Sequence, residues 1–243
     1  MTNLVLIHGA GGNAMELTPL ADAMGPELTY WSFDMLGHGG RPEPEVYSVP
    51  LIAEDLIGGL DDAGVDRAFF FGYSFGGLVA YYLAAHYPER VIGACAMGTK
   101  VVFDAETVRR LLQMLDPVRA ARLGIQVPEW VSAIHAKHRM LLSTVDDQGG
   151  ATIVESWLRD AQRPLLALNG SADRMVTVEE TKRITELAPD SRYAIFEGPA
   201  HPLAAVPIAL VGRVVWDFIN DVQGGLAVAD QDRERYFARP RPA

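Results

Sequence analysis

The stretch that most restricts how this chain can fold is Gly72-Tyr73-Ser74-Phe75-Gly76-Gly77. It follows an apolar run, Ala68-Phe69-Phe70-Phe71. It leads into Leu78-Val79-Ala80-Tyr81-Tyr82-Leu83-Ala84-Ala85, which reads as a helix. A serine inside Gly-x-Ser-x-Gly, with a strand before it and a helix behind it, sits on a sharp turn. Glycine lacks a Cβ, so neighbouring backbone can pass close to Gly72 and Gly76. The Ser74 hydroxyl then projects from the tip of the turn. The N–H of Phe75 falls at a helix start, where unpaired donors favour negative charge. That arrangement suits an attacking alkoxide and the oxyanion it creates. The pentapeptide alone also fits an ordinary glycine-rich turn; the flanking strand and helix are what favour the chemical reading.

The rest of the chain supplies a frame for this turn. Leu4 to Ile7, Leu28 to Phe33, Arg67 to Phe71, Val91 to Met97, Pro164 to Leu168 and Tyr193 to Phe196 are short apolar runs that read as strands. Helical patterns separate most of them. The pair Asn13 and Glu16 has the spacing of a capping box and predicts a helix from there to about Met24. Leu51 to Ala63 has helical spacing with Gly64 as its stop, Thr177 and Glu180 cap a helix to Leu187, and Pro207 to Val222 is the last helix. Strands alternating with helices predict an α/β fold: a mostly parallel central sheet covered by helices on both faces. Ligands of such sheets gather outside the carboxyl ends of the strands. Ser74 and the loop His8-Gly9-Ala10 both fall at such ends.

The alternation stops near Lys100. Ala105 to Leu115, Pro128 to Leu142 and Ala151 to Ala161 read as helical segments broken by Pro117, Pro128, Gly149 and Gly150. We read 101–162 as a helical insertion over a core formed by 1–100 and 163–222. Residues 223–243, ending Arg239-Pro240-Arg241-Pro242, read as a mobile C-terminal tail.

Composition narrows the partners. The formal net charge of −10 argues against nucleic acid or an anionic membrane. No run of apolar residues is long enough to span a bilayer. The amino-terminal residues have neither the charged region nor the apolar run of a secretion signal, so a cytoplasmic location is expected. The single cysteine, Cys95, lies in an apolar run and reads as a core residue.

A serine hydroxyl needs a base to take its proton, and the base needs a group that fixes its tautomer. Of six histidines, only His201 sits in a short loop after a strand and before a helix. His8 and His38 open or close glycine loops and read as turn-shaping residues, and His135 and His138 fall in the insertion. The acid should also follow a strand end. Asp173 does so, in Asn169-Gly170-Ser171-Ala172-Asp173-Arg174, although loop aspartates commonly make Asx turns. Asp104 is the competing candidate. The chain order Ser74, Asp173, His201 matches that of the nucleophile-elbow hydrolases.

Taken together, His8-Gly9, Asp34-x-x-Gly37-His38-Gly39, Gly72-x-Ser74-x-Gly76-Gly77, Gly170-x-x-Asp173 and His201 resemble the α/β-hydrolase fold family over nearly the whole core. The resemblance implies Ser74 as nucleophile, His201 as base and Asp173 as the acid that orients it. It also implies an oxyanion hole from the N–H groups of Ala10 and Phe75, and a lid formed by the insertion. The chain departs from the family in three places. The sheet starts directly at Leu4, Ala200 stands where a glycine usually precedes the histidine, and Gly40-Arg41 stands where the second glycine loop usually has a serine.

Serine rather than aspartate at the elbow separates the chain from the dehalogenase-like members and points to acyl chemistry. The expected substrate is a small or medium ester, lactone or thioester, with no metal and no cofactor. Trp130, Trp157, Met114 and Met140 of the insertion are candidate substrate-binding residues that could equally hold the insertion on the core. Two alternatives remain open at this level. One is C–C bond hydrolysis or a lyase reaction by the same three residues, and the other is a non-catalytic ligand-binding member of the fold. A homo-oligomer is also left open.

Overall fold

The computed structural model describes residues 1–114, 116–124, 150–199, 201 and 205–224. Its sheet has six strands: β1 (Thr2–Ile7), β2 (Leu28–Ser32), β3 (Ala68–Tyr73), β4 (Val91–Met97), β5 (Leu165–Gly170) and β6 (Ser191–Phe196). They run in the order β2-β1-β3-β4-β5-β6, and every pairing is parallel. Leu6 stands beside Phe71, Cys95 beside Leu166, and Ala167 beside Tyr193.

The strand order reverses between β1 and β3. The chain leaves β1 for the edge strand β2 and then crosses back to the other side. A crevice opens at such a switch point, outside the carboxyl ends of the strands. His8 follows β1 and Ser74 follows β3, so this topology sets the two loops side by side.

Three consecutive phenylalanines, Phe69, Phe70 and Phe71, are fully buried in β3. Successive strand residues point to opposite faces, so both faces of the sheet must be covered. Phe70, Val5 and Ile7 point into one apolar layer, under α2 (Val49–Asp62) and α3 (Phe75–His86). Phe69, Phe71, Leu4 and Leu6 point into the other, with Leu20 and Met24 of α1 (Thr18–Met24). Val211, Val215 and Phe218 of α8 (Ile208–Gln223) complete that layer. The remaining helices among the described residues are α4 (Ala105–Met114), α5 (Pro117–Arg122), α6 (Gly150–Asp160) and α7 (Val178–Leu187). The α/β class and the two-sided cover match the reading of the sequence.

Two local expectations are corrected. The pair Asn13 and Glu16 does not start a helix, because α1 begins only at Thr18 with a proline in its first turn. Asn13 Oδ1 instead accepts from Met15 N at 2.9 Å, and Glu16 Oε2 accepts from Gly9 N at 2.9 Å. The carboxylate holds the first glycine loop rather than a helix end. Pro117, read as a breaker, opens α5. Asp116 Oδ1 accepts from Val118 N, and a proline at the first helical position loses no intrahelical bond. The helix expected over 128–142 and the tail from 225 onward lie outside the described residues.

Candidate active site

Ser74 occupies the turn between β3 and α3 with φ 51° and ψ −111°, a positive φ that no other non-glycine residue shows among those described. Its neighbours make the turn feasible. A Cβ on Gly72 would strike the backbone of Gly76 and Gly77, and one on Gly76 would strike the carbonyls of Ile7 and His8. Both main-chain groups of Ser74 are held. Its N–H donates to Met97 O at 2.8 Å. Its carbonyl accepts from Gly77 N and from Thr99 Oγ1, both at 3.0 Å. Thr99 is buried and follows β4, and a Cβ on Gly77 would collide with its hydroxyl.

The loops after β5 and β6 are laced together. Ser171 N donates to Phe196 O, Ala172 N to Pro199 O, and Gly198 N to Ser171 Oγ. A Cβ on Gly170 would run into the Pro199 carbonyl. This lacing brings Asp173 beside His201. His201 Nδ1 lies 2.8 Å from Asp173 Oδ2, and His201 Nε2 lies 3.2 Å from Ser74 Oγ. A proton on Nδ1 donates to the carboxylate and leaves Nε2 as acceptor for the serine hydroxyl. Asp173 is only 8% exposed. Burial works against its charge, but the hydrogen bond from His201 and the N–H groups of Val176 and Met175 outweigh it. The carboxyl is therefore held below its ordinary value. Asp104 does not join this group. It is exposed, and its Oδ1 caps α4 by accepting from Thr107 N at 2.7 Å.

The loop after β1 supplies the facing wall. Gly9 N is taken by Glu16, Gly11 N donates to His38 Nε2 at 2.9 Å, and Gly12 N returns to Gly9 O. Ala10 N lies between them without an acceptor among the described residues. Phe75 N, at the first position of α3, has no intrahelical acceptor either. His8 Nε2 accepts from Met35 N, and its Nδ1 lies 2.8 Å from Gly9 O. His8 and His38 are both buried and tie the two glycine loops together, which is the turn-shaping role read for them. Arg41 makes a two-pronged ion pair with Asp55 and also donates to Asp34 O.

Three supporting contacts escaped the sequence reading. Thr99 carries no motif. Tyr73 O–H donates to the carbonyl of His201, 128 residues away along the chain. Asn169 Nδ2 donates to Val176 O at 2.8 Å and braces the Asp173 loop. The Thr99 and Tyr73 contacts depend on which strand ends lie side by side, which local spacing does not reveal, and the Asn169 contact depends on the path of the loop after β5. Of the candidate substrate residues, Trp130 and Met140 lie outside the described residues. Met114 ends α4. Trp157 is buried on α6 and meets the ring of Tyr82 edge-on at 5.1 Å, against α3. Among the described residues no helix is long and apolar enough to cross a membrane.

A family model described as "Alpha/beta hydrolase family" matches residues 4–241. The chain belongs to the α/β-hydrolase family. Its relatives include a poly(3-hydroxyalkanoate) depolymerase of Ectopseudomonas oleovorans, 25% identical over 100% of this chain and 89% of the relative. Esterase YbfF of Escherichia coli (strain K12) is 25% identical over 90% of this chain and 93% of the relative. Among solved structures, the enol-lactonase from Burkholderia xenovorans LB400 shares the fold of this α/β-hydrolase. It has a TM-score of 0.70, 19% identity, and coverage of 90% of this chain and 91% of that one.

Proposed function

We propose that this α/β-hydrolase cleaves a small or medium ester, lactone or thioester through an acyl-enzyme on Ser74, with His201 as base and Asp173 as the orienting acid. The observation that carries this reading is the hydrogen-bonded line from Ser74 Oγ through His201 to Asp173, with the serine held at a strained tip. His201 Nε2 takes the hydroxyl proton as Oγ attacks the carbonyl. Asp173 stabilises the imidazolium that forms. The oxyanion develops where Ala10 N–H and Phe75 N–H lack acceptors, and each such donor is worth about 3–4 kcal/mol of barrier. His201 then protonates the leaving group, and water reverses the cycle to release the acid.

The presence of an esterase and a depolymerase among the relatives supports acyl–oxygen cleavage. The substrate is a small molecule, and no step needs a metal or a cofactor. The region over 101–162 acts as the lid that selects it. The test is steady-state turnover of p-nitrophenyl butyrate beside a dienoic diketone. The ester is the expected substrate, and Ser74→Ala should lower its kcat/KM on the order of 10⁴-fold or more. Ester turnover retained in Ser74→Ala would refute the assignment. Turnover of the diketone in place of the ester would move the reaction to C–C cleavage.

A further inference from the structure

A cavity of about 960 Å³ lies beside the Asp173 loop, and Ser74, Asp173 and His201 are not among the described residues that line it. Its walls come from four places: α4, α5, the segment after β4, and the run from Arg174 into α7. Its size is that of a small-molecule pocket. Its charge runs against that of the molecule. The whole chain has 31 acidic against 21 basic residues. Among the described residues the cavity lining instead has five cations, Lys100, Arg110, Arg119, Arg174 and Arg183, against two acids, Glu179 and Glu180.

The pairing of these groups shows which charges are committed. Glu180 is buried and accepts from Lys100 Nζ, Val101 N and Val102 N, so it fixes the cavity floor and neutralises Lys100. Arg183 is engaged by Glu155. Arg119 donates to Gln113. Arg110 and Arg174 make no ion pair among the described residues. Asp104 feels the charge of Arg110 but spends its oxygen on Thr107 N. Among the described residues, two guanidinium groups without an ion pair therefore line one space from two different elements, and Glu179 is the one lining carboxylate without a cation.

The apolar part of the lining is also unusual. Leu123 is 64% exposed and Met175 40% exposed, and these two are among only six large apolar side chains so exposed in the described residues. Both line this cavity, with Val102, Leu111 and Ala120 beside them. Apolar side chains lining a concavity that also carries a few polar groups are the makeup of a small-molecule site. A planar guanidinium matches a carboxylate with two parallel hydrogen bonds. Glu179 on the same lining favours a single negative charge over a doubly charged phosphate.

We infer that this cavity binds an amphipathic carboxylate, its head group on Arg110 and Arg174 and its alkyl chain on Leu111, Leu123 and Met175. The bound acid would touch the loop that carries Asp173, since Met175 N donates to Asp173 Oδ1. The inference does not depend on whether Ser74 is a nucleophile, because it concerns an acid that needs no turnover.

The experiment titrates sodium octanoate, and octan-1-ol as the neutral control, into the full chain labelled with [methyl-¹³C]methionine. Met175→Leu assigns the Met175 methyl signal, and calorimetry gives the affinities. Octanoate should shift the Met175 methyl saturably. Arg110→Ala with Arg174→Ala should weaken octanoate by roughly tenfold or more, as expected for losing charge-assisted hydrogen bonds. Octan-1-ol binding as tightly as octanoate would overturn the anion site, and that comparison needs only the wild-type chain. Octanoate binding without movement of the Met175 signal, or binding unaltered in the double variant, would also overturn it. So would no octanoate binding at all.

Discussion

The conformation of Ser74 makes a prediction about stability that is separate from catalysis. Its φ of 51° and ψ of −111° match the first central position of a type II′ turn, a place dominated by glycine. Holding an L-residue there costs about 1–3 kcal/mol. Ser74→Ala and Ser74→Gly both lose the hydroxyl and its hydrogen bond to His201, so comparing them cancels that loss. The alanine variant keeps the Cβ and the strain. The glycine variant removes the strain but gains freedom in the unfolded chain worth about 0.5–1 kcal/mol. The difference leaves Ser74→Gly more stable than Ser74→Ala by about 1 kcal/mol. For a chain of this size that is a gap of about 2–4 °C in Tm. Urea unfolding and thermal melts of the two inactive variants measure it. An alanine variant more stable than the glycine variant by about 0.5–1 kcal/mol, the glycine freedom alone, would show that the elbow stores no strain and refute the reasoning.

Other expectations follow from the contacts around that turn. Thr99→Val keeps the buried shape but removes the donor to Ser74 O; Gly77 N still satisfies that carbonyl, so the loss should be about 1 kcal/mol by urea unfolding, with kcat falling more than KM rises. Tyr73→Phe releases the His201 carbonyl and should lower kcat roughly fivefold, the equivalent of one neutral hydrogen bond, with KM little changed in the same ester assay. Asp173 has its carboxyl held below the ordinary 3.8, so its charged form contributes stability above pH 3.8 and loses it as pH falls through the lower folded value. The stability gap between wild type and Asp173→Asn, measured by urea unfolding from pH 7 to pH 3, should therefore narrow below pH 3.8. A gap that widened there would contradict the assigned hydrogen bonds.

The fold was legible because buried parallel strands cannot hide. Phe69 to Phe71 and Leu165 to Leu168 are continuous apolar runs, since both of their faces are covered. Ser74, Asp173 and His201 were legible for a related reason: each follows a strand, and parallel strands deliver their carboxyl ends to one rim. Glu16 shows where local spacing misleads. Three residues after Asn13 it imitates a capping box, yet a stronger demand, the unpaired N–H of Gly9, draws its carboxylate away. Glu180 divides in the same manner. Its N–H donates to Thr177 Oγ1 as expected of the cap, while its side chain accepts from Val101 N and Val102 N. Thr99 and Tyr73 were illegible because their partners are set by strand order, and a residue's neighbours in sequence carry no record of that order.

The central claim is that His201 makes the Ser74 hydroxyl reactive. The most direct measurement is mass spectrometry of the intact and digested protein after treatment with a fluorophosphonate. The account predicts a single phosphonyl adduct, on the peptide containing Ser74, that is lost in His201→Gln. A folded wild-type protein that takes up no label, or takes it up on another residue, would contradict it.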